Sequence, residues 1–238
     1  MAMEAQRRPY AGTAVGVDYD VGLRRYMLNV YNYMASGLAL TGIVAYVVGN
    51  SPALYEPIFG TPLKWVVMLA PLGFVFFLSF RVDKIKASTA QAVFWVFAAV
   101  MGLSLASIFL IFTGMSIARV FFITAGTFAG MSLYGYTTKR DLTRFGAFLF
   151  MGLIGIILAG LVNMFIGSTA LQFAISVIGV LVFVGLTAYD TQNIKEMYSE
   201  HHDGESLSKL AIMGALRLYL DFINLFMLLL QLFGNRRD

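Results

Sequence analysis

The most restrictive feature of the chain is a run of 45 residues, Phe145 to Tyr189, that contains no charged side chain. A helix needs about 20 apolar residues to cross the ~30 Å hydrocarbon core of a bilayer. The run is long enough for two such helices, and the polar break Ile166-Gly167-Ser168-Thr169 marks the turn between them. This pattern predicts a chain that crosses a membrane more than once.

The composition supports the same conclusion and excludes other classes of protein. Hydrophobic residues make up 59% of the chain and charged residues 13%, whereas a soluble domain has about 25% charged residues. An ordinary soluble domain, a disordered chain and a nucleic-acid binder are therefore excluded. The chain has no cysteine, which excludes disulfides, thiolate metal sites and cysteine nucleophiles.

Apolar stretches of spanning length recur along the whole chain. They are too long and too uniformly apolar for the alternating strands of an outer-membrane barrel, so the fold class predicted is all-α, with seven transmembrane helices. We expect a cytoplasmic tail at 1–22, a seven-helix domain at 23–234 and a C-terminal tail at 235–238. The predicted spans are 26–48, 62–80, 88–112, 116–136, 146–165, 169–190 and 211–233.

The positive charges predict the orientation of these spans. With the N-terminus in the cytoplasm, twelve lysines and arginines fall in inside segments and four in outside segments, which follows the positive-inside rule. Seven spans then place the C-terminus outside. The pair Arg236-Arg237 fits this arrangement poorly, and a six-span protein with a re-entrant last segment remains the alternative.

Two carboxylates occupy positions where the bilayer disfavours charge. Asp190 ends the sixth predicted span, and Asp221 lies about ten residues, or roughly 15 Å, into the seventh. The short connection 191–210 makes the two spans an antiparallel hairpin, so these carboxylates can approach each other. Such a pair is expected to share a proton and suits a pH sensor, a proton relay or a divalent-cation site. The alternative is that each aspartate anchors its own helix by separate hydrogen bonds.

Arg217 and a pair of histidines lie within or next to this hairpin in the sequence. Arg217 stands four residues before Asp221, which predicts a local ion pair. A second reading is that Asp221 exchanges between Arg217, Arg81 and Asp190. The sequence His201-His202-Asp203 suggests metal binding, but adjacent side chains point in different directions, which favours a solvated loop.

Small residues at helical spacing predict close contacts between spans. They occur in Gly102-x-x-x-Ala106 and Gly126-x-x-x-Gly130. We interpret both motifs as packing within one bundle, with homodimerisation as the alternative.

The motifs that intramembrane enzymes need are missing. No histidine lies within a span, and Gly-x-Ser-x-Gly, His-Glu-x-x-His and Walker motifs do not occur. We therefore expect that the protein is not an enzyme and carries no cofactor.

Two strings give the chain a family resemblance. The last span contains Leu-Tyr-Leu-Asp-Phe-Ile-Asn-Leu-Phe at 218–226, and the sixth ends with Tyr-Asp-Thr-Gln at 189–192. This pair resembles the Bax inhibitor-1 family, also called the transmembrane Bax inhibitor motif group, over roughly residues 20–234. The short N-terminal tail is similar to that of bacterial members.

The resemblance implies a fold and a function. It implies seven helices with the last one central, a bacterial inner-membrane location and a pH-sensitive calcium leak. The family's paired aspartates match Asp190 and Asp221, which become the pH sensor and candidates for calcium binding. The family's latch arginine matches Arg81. The chain departs from the family pattern at Arg217, where a small or neutral residue is expected, and this cation would modulate the aspartate pair.

A second functional class stays open at this stage. Some bacterial relatives look like partners or modulators of a membrane-bound AAA protease, which gives a stress-protective role without a pore. In that reading the tail Met1 to Arg25 would be the contact surface. The other partners expected are the lipid bilayer and calcium ions, and no nucleic acid is expected.

Overall fold

The fold was obtained as a computed structural model that describes residues 11–237, with side chains from Val21 onwards. These residues form helices and no strand, with a short 3-10 turn, Val82–Lys84, after α3. Part of the expected tail lies outside the described residues, so the division at 1–22 stays a prediction. The helices are α1 (Ala11–Gly49), α2 (Pro52–Phe59), α3 (Leu63–Arg81), α4 (Ala87–Leu105), α5 (Ile108–Ile111), α6 (Gly114–Thr137), α7 (Thr143–Ile166), α8 (Thr169–Glu196) and α9 (Gly204–Phe233).

The described part of the chain contains seven segments that are long and apolar enough to cross a membrane. This confirms the predicted all-α fold with seven spans. The last two helices extend beyond the predicted apolar stretches, because hydropathy indicates the bilayer and a helix continues past it. Asp190 therefore lies within α8, six residues before Glu196, and does not end the helix as the sequence suggested.

The turn between α7 and α8 lies where the uncharged run predicted it. Gly167 ends α7 with φ of 66°, a left-handed conformation that side chains with a Cβ atom rarely adopt. Asn163 Oδ1 accepts a hydrogen bond from the Ser168 backbone N–H at 3.0 Å. The Ser168 hydroxyl then caps α8 by accepting from the Leu171 N–H. The polar break thus satisfies the backbone groups that the two helix ends expose.

Helix α9 lies at the centre of the bundle. It packs against α1, α4, α6 and α8, and 67% of its most apolar stretch is buried, compared with 11% for α3 and α7. Tyr219 on α9 is fully buried against the rings of Phe94 and Phe97. Its hydroxyl lies 2.7 Å from Thr41 Oγ1, which donates to the Ala98 carbonyl at 2.7 Å. Three helices are thereby joined by one chain of hydrogen bonds.

The small-residue motifs have different surroundings. A Cβ atom on Gly102 would lie 2.7 Å from the Thr41 carbonyl oxygen, so this glycine permits α1 and α4 to approach closely. A Cβ atom on Gly126 or Gly130 would meet nothing within 4 Å. The prediction of packing within the bundle is therefore right for Gly102 and wrong for Gly126-x-x-x-Gly130.

The end of the chain is fastened to the connection between α5 and α6. The Thr113 N–H donates to the Asn235 carbonyl at 3.0 Å, and the Arg237 N–H donates to the Ile111 carbonyl at 2.8 Å. The Ser116 hydroxyl accepts from the Asn235 N–H at 2.8 Å. Because α9 is one continuous helix, these contacts lie at the end of the bundle opposite the α8–α9 loop. The re-entrant alternative is not observed, while the side of the membrane that each end faces stays a prediction.

Candidate functional site

The hairpin of α8 and α9 buries both predicted carboxylates. The side chain of Asp190 comes from α8 and that of Asp221 from α9, with exposures of 3% and 5%. The two carboxyl groups lie within electrostatic range of each other across the hairpin. Two like charges at such a range in a buried site repel each other, which favours a pair that shares one proton.

Arg217 completes this group, which we call the aspartate site (Asp190, Asp221 and Arg217). Its Nη1 atom lies 3.6 Å from Asp190 Oδ1 and donates to Asn193 Oδ1 at 2.8 Å. The predicted ion pair with Asp221, one turn along the same helix, is therefore not what forms. Asp221 is buried towards α8, whereas the Arg217 side chain is 43% exposed and reaches across the hairpin.

The aspartate site keeps unused hydrogen-bonding capacity. Among the residues described, three buried side-chain atoms have no hydrogen-bond partner: Tyr26 Oη, Asp190 Oδ1 and Asp221 Oδ2. Tyr26 comes from α1 and lies within electrostatic range of Arg217. A buried polar atom without a partner is unfavourable by about 1–3 kcal/mol. Such atoms can still form a hydrogen bond with a proton-bearing group or a small polar ligand.

Arg81, the predicted latch, does not contact the aspartate site. It ends α3 in an exposed position, and no ion pair in the described part of the chain includes it. A cavity of about 250 Å³ separates α3 from the hairpin at this level. Ser79 lines its α3 wall, and Met197 and Arg217 line the opposite side. In this arrangement Arg217 is the cation of the site.

A chain of hydroxyls holds three helices together beside Asp190. Thr191 Oγ1 donates to the Thr187 carbonyl at 2.7 Å and so accepts from Ser132 Oγ at 2.9 Å. Ser132 in turn accepts from the Tyr31 hydroxyl at 2.7 Å. Because the chain ends on a backbone carbonyl, it has no acceptor onward to the carboxylates. It fixes α1, α6 and α8 around the site and is not a proton relay to it.

The opposite half of the hairpin carries a second polar group, which we call the amide cluster (Asn163, Gln172, Ser176 and Gln231). Asn163 Nδ2 donates to Gln172 Oε1 at 3.2 Å. Gln231 Oε1 accepts from Gln172 Nε2 at 2.7 Å and from the Ser176 hydroxyl at 3.0 Å. These groups are neutral and bonded to one another, so this cluster has no counterpart to the free carboxylate oxygens.

The residues after the histidine pair have structural roles. Asp203 caps α9 by accepting from the Ser206 N–H at 3.0 Å. Hydrogen bonds from Ser206 lower the pKa of the Asp203 carboxyl below its usual value. Glu205 forms an ion pair with Lys209 at 3.5 Å. Within the described residues, no group of three or more histidines, aspartates or glutamates is positioned to hold a metal ion.

Sequence reasoning found both aspartates and Arg217 but missed two neighbours. Asn193 follows the apolar stretch and looks like an ordinary residue of a helix end. Tyr26 begins the first apolar stretch, where a tyrosine usually marks the membrane interface. The only available signal for Asn193 was its position three residues after Asp190, on the same helix face. No signal in the sequence distinguished Tyr26.

Comparison with known proteins places the chain in a family. Residues 23–238 match the family described as inhibitor of apoptosis-promoting Bax1. The chain is 50% identical to an uncharacterised protein, RP147, of Rickettsia prowazekii over 95% of this chain and 96% of that protein. It is 51% identical to the inner membrane protein YbhL of Escherichia coli over 91% of this chain and 94% of that protein. Both the length matched and the identity show that the chain belongs to the Bax inhibitor-1 family of membrane proteins.

Proposed function

We propose that the protein is a pH-gated calcium leak of the bacterial inner membrane, with Asp190 and Asp221 as its sensor. The observation that carries this proposal is that two carboxylates of the central hairpin are buried and lie within electrostatic range of each other. Ionisable groups are costly to bury in a membrane span, so their presence there indicates a functional site. The name of the Escherichia coli relative supports the inner-membrane location.

The charge of the aspartate site changes with each proton. With one proton on the pair, the remaining carboxylate balances Arg217, and the buried group is neutral. A second proton leaves the guanidinium without a charged partner, and loss of the first leaves two like charges in contact. Both changes disfavour the present packing, so proton binding shifts the population of conformations.

Acidification is the change that opens the leak in this proposal. Near neutral pH, the ionised carboxylate and Arg217 hold α8 and α9 together by a charge-assisted interaction. As the pH falls, the second proton removes that interaction and favours an open arrangement. The shift is limited to about 1.4 kcal/mol for each pKa unit by which the two arrangements differ.

In this proposal the conformation described is the closed state. The aspartate site and the amide cluster occupy opposite halves of the hairpin, and ten residues, or roughly 15 Å, separate Asp221 from Gln231 along α9. The stretch between them includes the buried side chains of Leu225, Leu229 and Leu230. Opening requires these apolar groups to move apart and let the polar groups form a continuous route.

Arg81 can act as a latch only after α3 moves. In this proposal α3 closes the 250 Å³ cavity and brings its C-terminal end against the hairpin. Arg81 would then compete with Arg217 for the ionised aspartate. The small buried fraction of α3 is compatible with such a movement.

Calcium flux into proteoliposomes as a function of pH tests the proposal. The parent is expected to leak more at acidic than at neutral pH, and Asp190→Asn and Asp221→Asn are expected to flatten this response. Asp203→Asn is the matched control, because it makes the same change at an exposed helix cap that asparagine also satisfies.

Two results would reject the channel. One is no flux at any pH, and the other is a normal pH response in both aspartate variants. Modulation of a membrane-bound AAA protease would then be the leading function. Deletion of residues 1–20 would test that role, because it removes most of the expected contact surface without touching the hairpin.

A further inference from the structure

A long groove between α1 and α6 is not used by the proposed leak. Its first half is a cavity of about 680 Å³, and its second half is a cavity of about 470 Å³. Leu38, Phe121 and Phe222 line both cavities, so the two are continuous. On α1 the groove extends from Arg24 to Tyr46, a length of roughly 33 Å. This is about the thickness of the hydrocarbon core of a bilayer.

Small side chains keep the groove open. Ala35 and Ala39 on α1 face Ala125 and Ala129 on α6 across the first cavity. Small residues usually let helices touch, but α1 and α6 are not a closely packed pair in the described part of the bundle. The groove walls include side chains exposed on the outer surface, such as Leu28 and Leu133. In a membrane this groove therefore opens sideways to lipid.

The residues that line the two cavities differ in charge. Arg24 lines the mouth of the first cavity, and no charged residue lines the second. Among the described residues, Arg24 has no ion-pair partner. Tyr136, on the opposite wall, has the Lys195 ammonium 5.2 Å from its ring centroid. No carboxylate lines either cavity, so the mouth of the first cavity is positively charged.

We propose that the first cavity is a binding site for one anionic phospholipid. An acyl chain lies between Ala35 and Ala129, and the phosphate contacts Arg24. Basic pockets between transmembrane helices bind anionic headgroups, and the first cavity covers about half of the groove, which suits an acyl chain from one leaflet. The second cavity, without a cation, is occupied only by unselected lipid chains.

Native mass spectrometry of the purified full chain tests this site by titration with phosphatidylglycerol and with phosphatidylcholine of the same acyl chains. One phosphatidylglycerol is expected to bind more tightly than phosphatidylcholine. Arg24→Ala is expected to weaken its binding about fivefold. Arg25→Ala is the matched control, because Arg25 is the exposed neighbour that does not line the groove.

A second pair of variants tests the acyl chain. Ala129→Leu fills the first cavity, and Ala118→Leu makes the same change in the second cavity on the same helix. Both alanines are exposed, so neither change disturbs the core. Retention of phosphatidylglycerol is expected to fall in Ala129→Leu and to stay at the parent level in Ala118→Leu.

Four results would overturn the proposal. Equal retention of the two lipids, or equal effects of Arg24→Ala and Arg25→Ala, would mean ordinary annular lipid. Equal effects of the two leucine variants would place the lipid outside the first cavity. A dimer in the parent that Ala129→Leu abolishes would show that a second copy of the chain occupies the groove.

Discussion

The two halves of the α8–α9 hairpin handle buried polarity in opposite ways. In the aspartate site, two oxygens lack hydrogen bonds and the net charge changes with each proton. In the amide cluster, neutral groups bond to one another and their charge does not depend on pH. One half therefore contains groups whose charge depends on protonation, and the other half contains none. In the function that we propose, a single pair of helices carries both the sensor and a fixed support.

The largest effect is expected from crowding α8, the helix that carries Asp190. A Cβ atom on Gly135 of α6 would overlap the backbone carbonyl of Ala188, two residues before Asp190. Gly135→Ala should therefore force α6 and α8 apart and destabilise the protein by about 3 kcal/mol. Thermal unfolding in detergent measures the change.

Gly130→Ala is the control for this prediction. It adds the same methyl group on the same helix, where nothing lies within 4 Å. Its effect should be neutral or slightly stabilising, because alanine favours helices by up to about 1 kcal/mol over glycine. Equal loss of stability in both variants would contradict the close contact at Ala188.

A smaller loss of stability is expected when one polar side chain is removed from each half of the hairpin. Arg217→Ala removes the partner of ionised Asp190, with a loss of about 1 kcal/mol near neutral pH, since the guanidinium is 43% exposed and partly screened. The loss should shrink as the pH falls, because a protonated aspartate no longer needs the cation. Gln231→Ala should also lose about 1 kcal/mol, from its two hydrogen bonds.

The pH profile of unfolding temperature for these two variants decides the comparison. The deficit of Gln231→Ala should be the same at every pH, and that of Arg217→Ala should shrink in acid to the part that comes from its hydrogen bond to Asn193. A constant deficit in Arg217→Ala would mean that its ion pair with Asp190 contributes nothing to stability.

The smallest effect is expected at the exposed cap of α9. The pKa of Asp203 is lowered by hydrogen bonds from Ser206, so the folded state holds the ionised form more strongly than the unfolded state. This contribution is complete above the unfolded pKa and is lost as the pH falls through the folded pKa. Asp203→Asn keeps a capping oxygen and should remove this acid dependence. Amide hydrogen exchange at Ser206 and Leu207 measures it, and an unchanged acid response in the variant would contradict it.

The sequence was sufficient for the spans and for the two aspartates. A carboxylate in an apolar stretch is conspicuous, and a short loop between two spans brings neighbouring carboxylates together. The sequence did not predict the ion-pair partner of Arg217, because spacing along one helix indicates local neighbours and not those across a hairpin. Tyr26 was missed because only tertiary packing removes its hydroxyl from the interface and buries it. The position of Arg81 depends on how closely α3 packs, and no local pattern determines that.

The segment that follows α9, residues 235–237, fixes one end of this helix. The backbone bonds of Asn235 and Arg237 to the α5–α6 connection hold that end still. If α9 tilts as a rigid rod about that end, each point on it moves in proportion to its distance from the fixed end. Asp221 is 14 residues from Asn235, or roughly 21 Å, and the start of the helix at Gly204 is more than twice as far. A tilt that displaces Asp221 slightly would therefore displace the start of α9 more than twice as far.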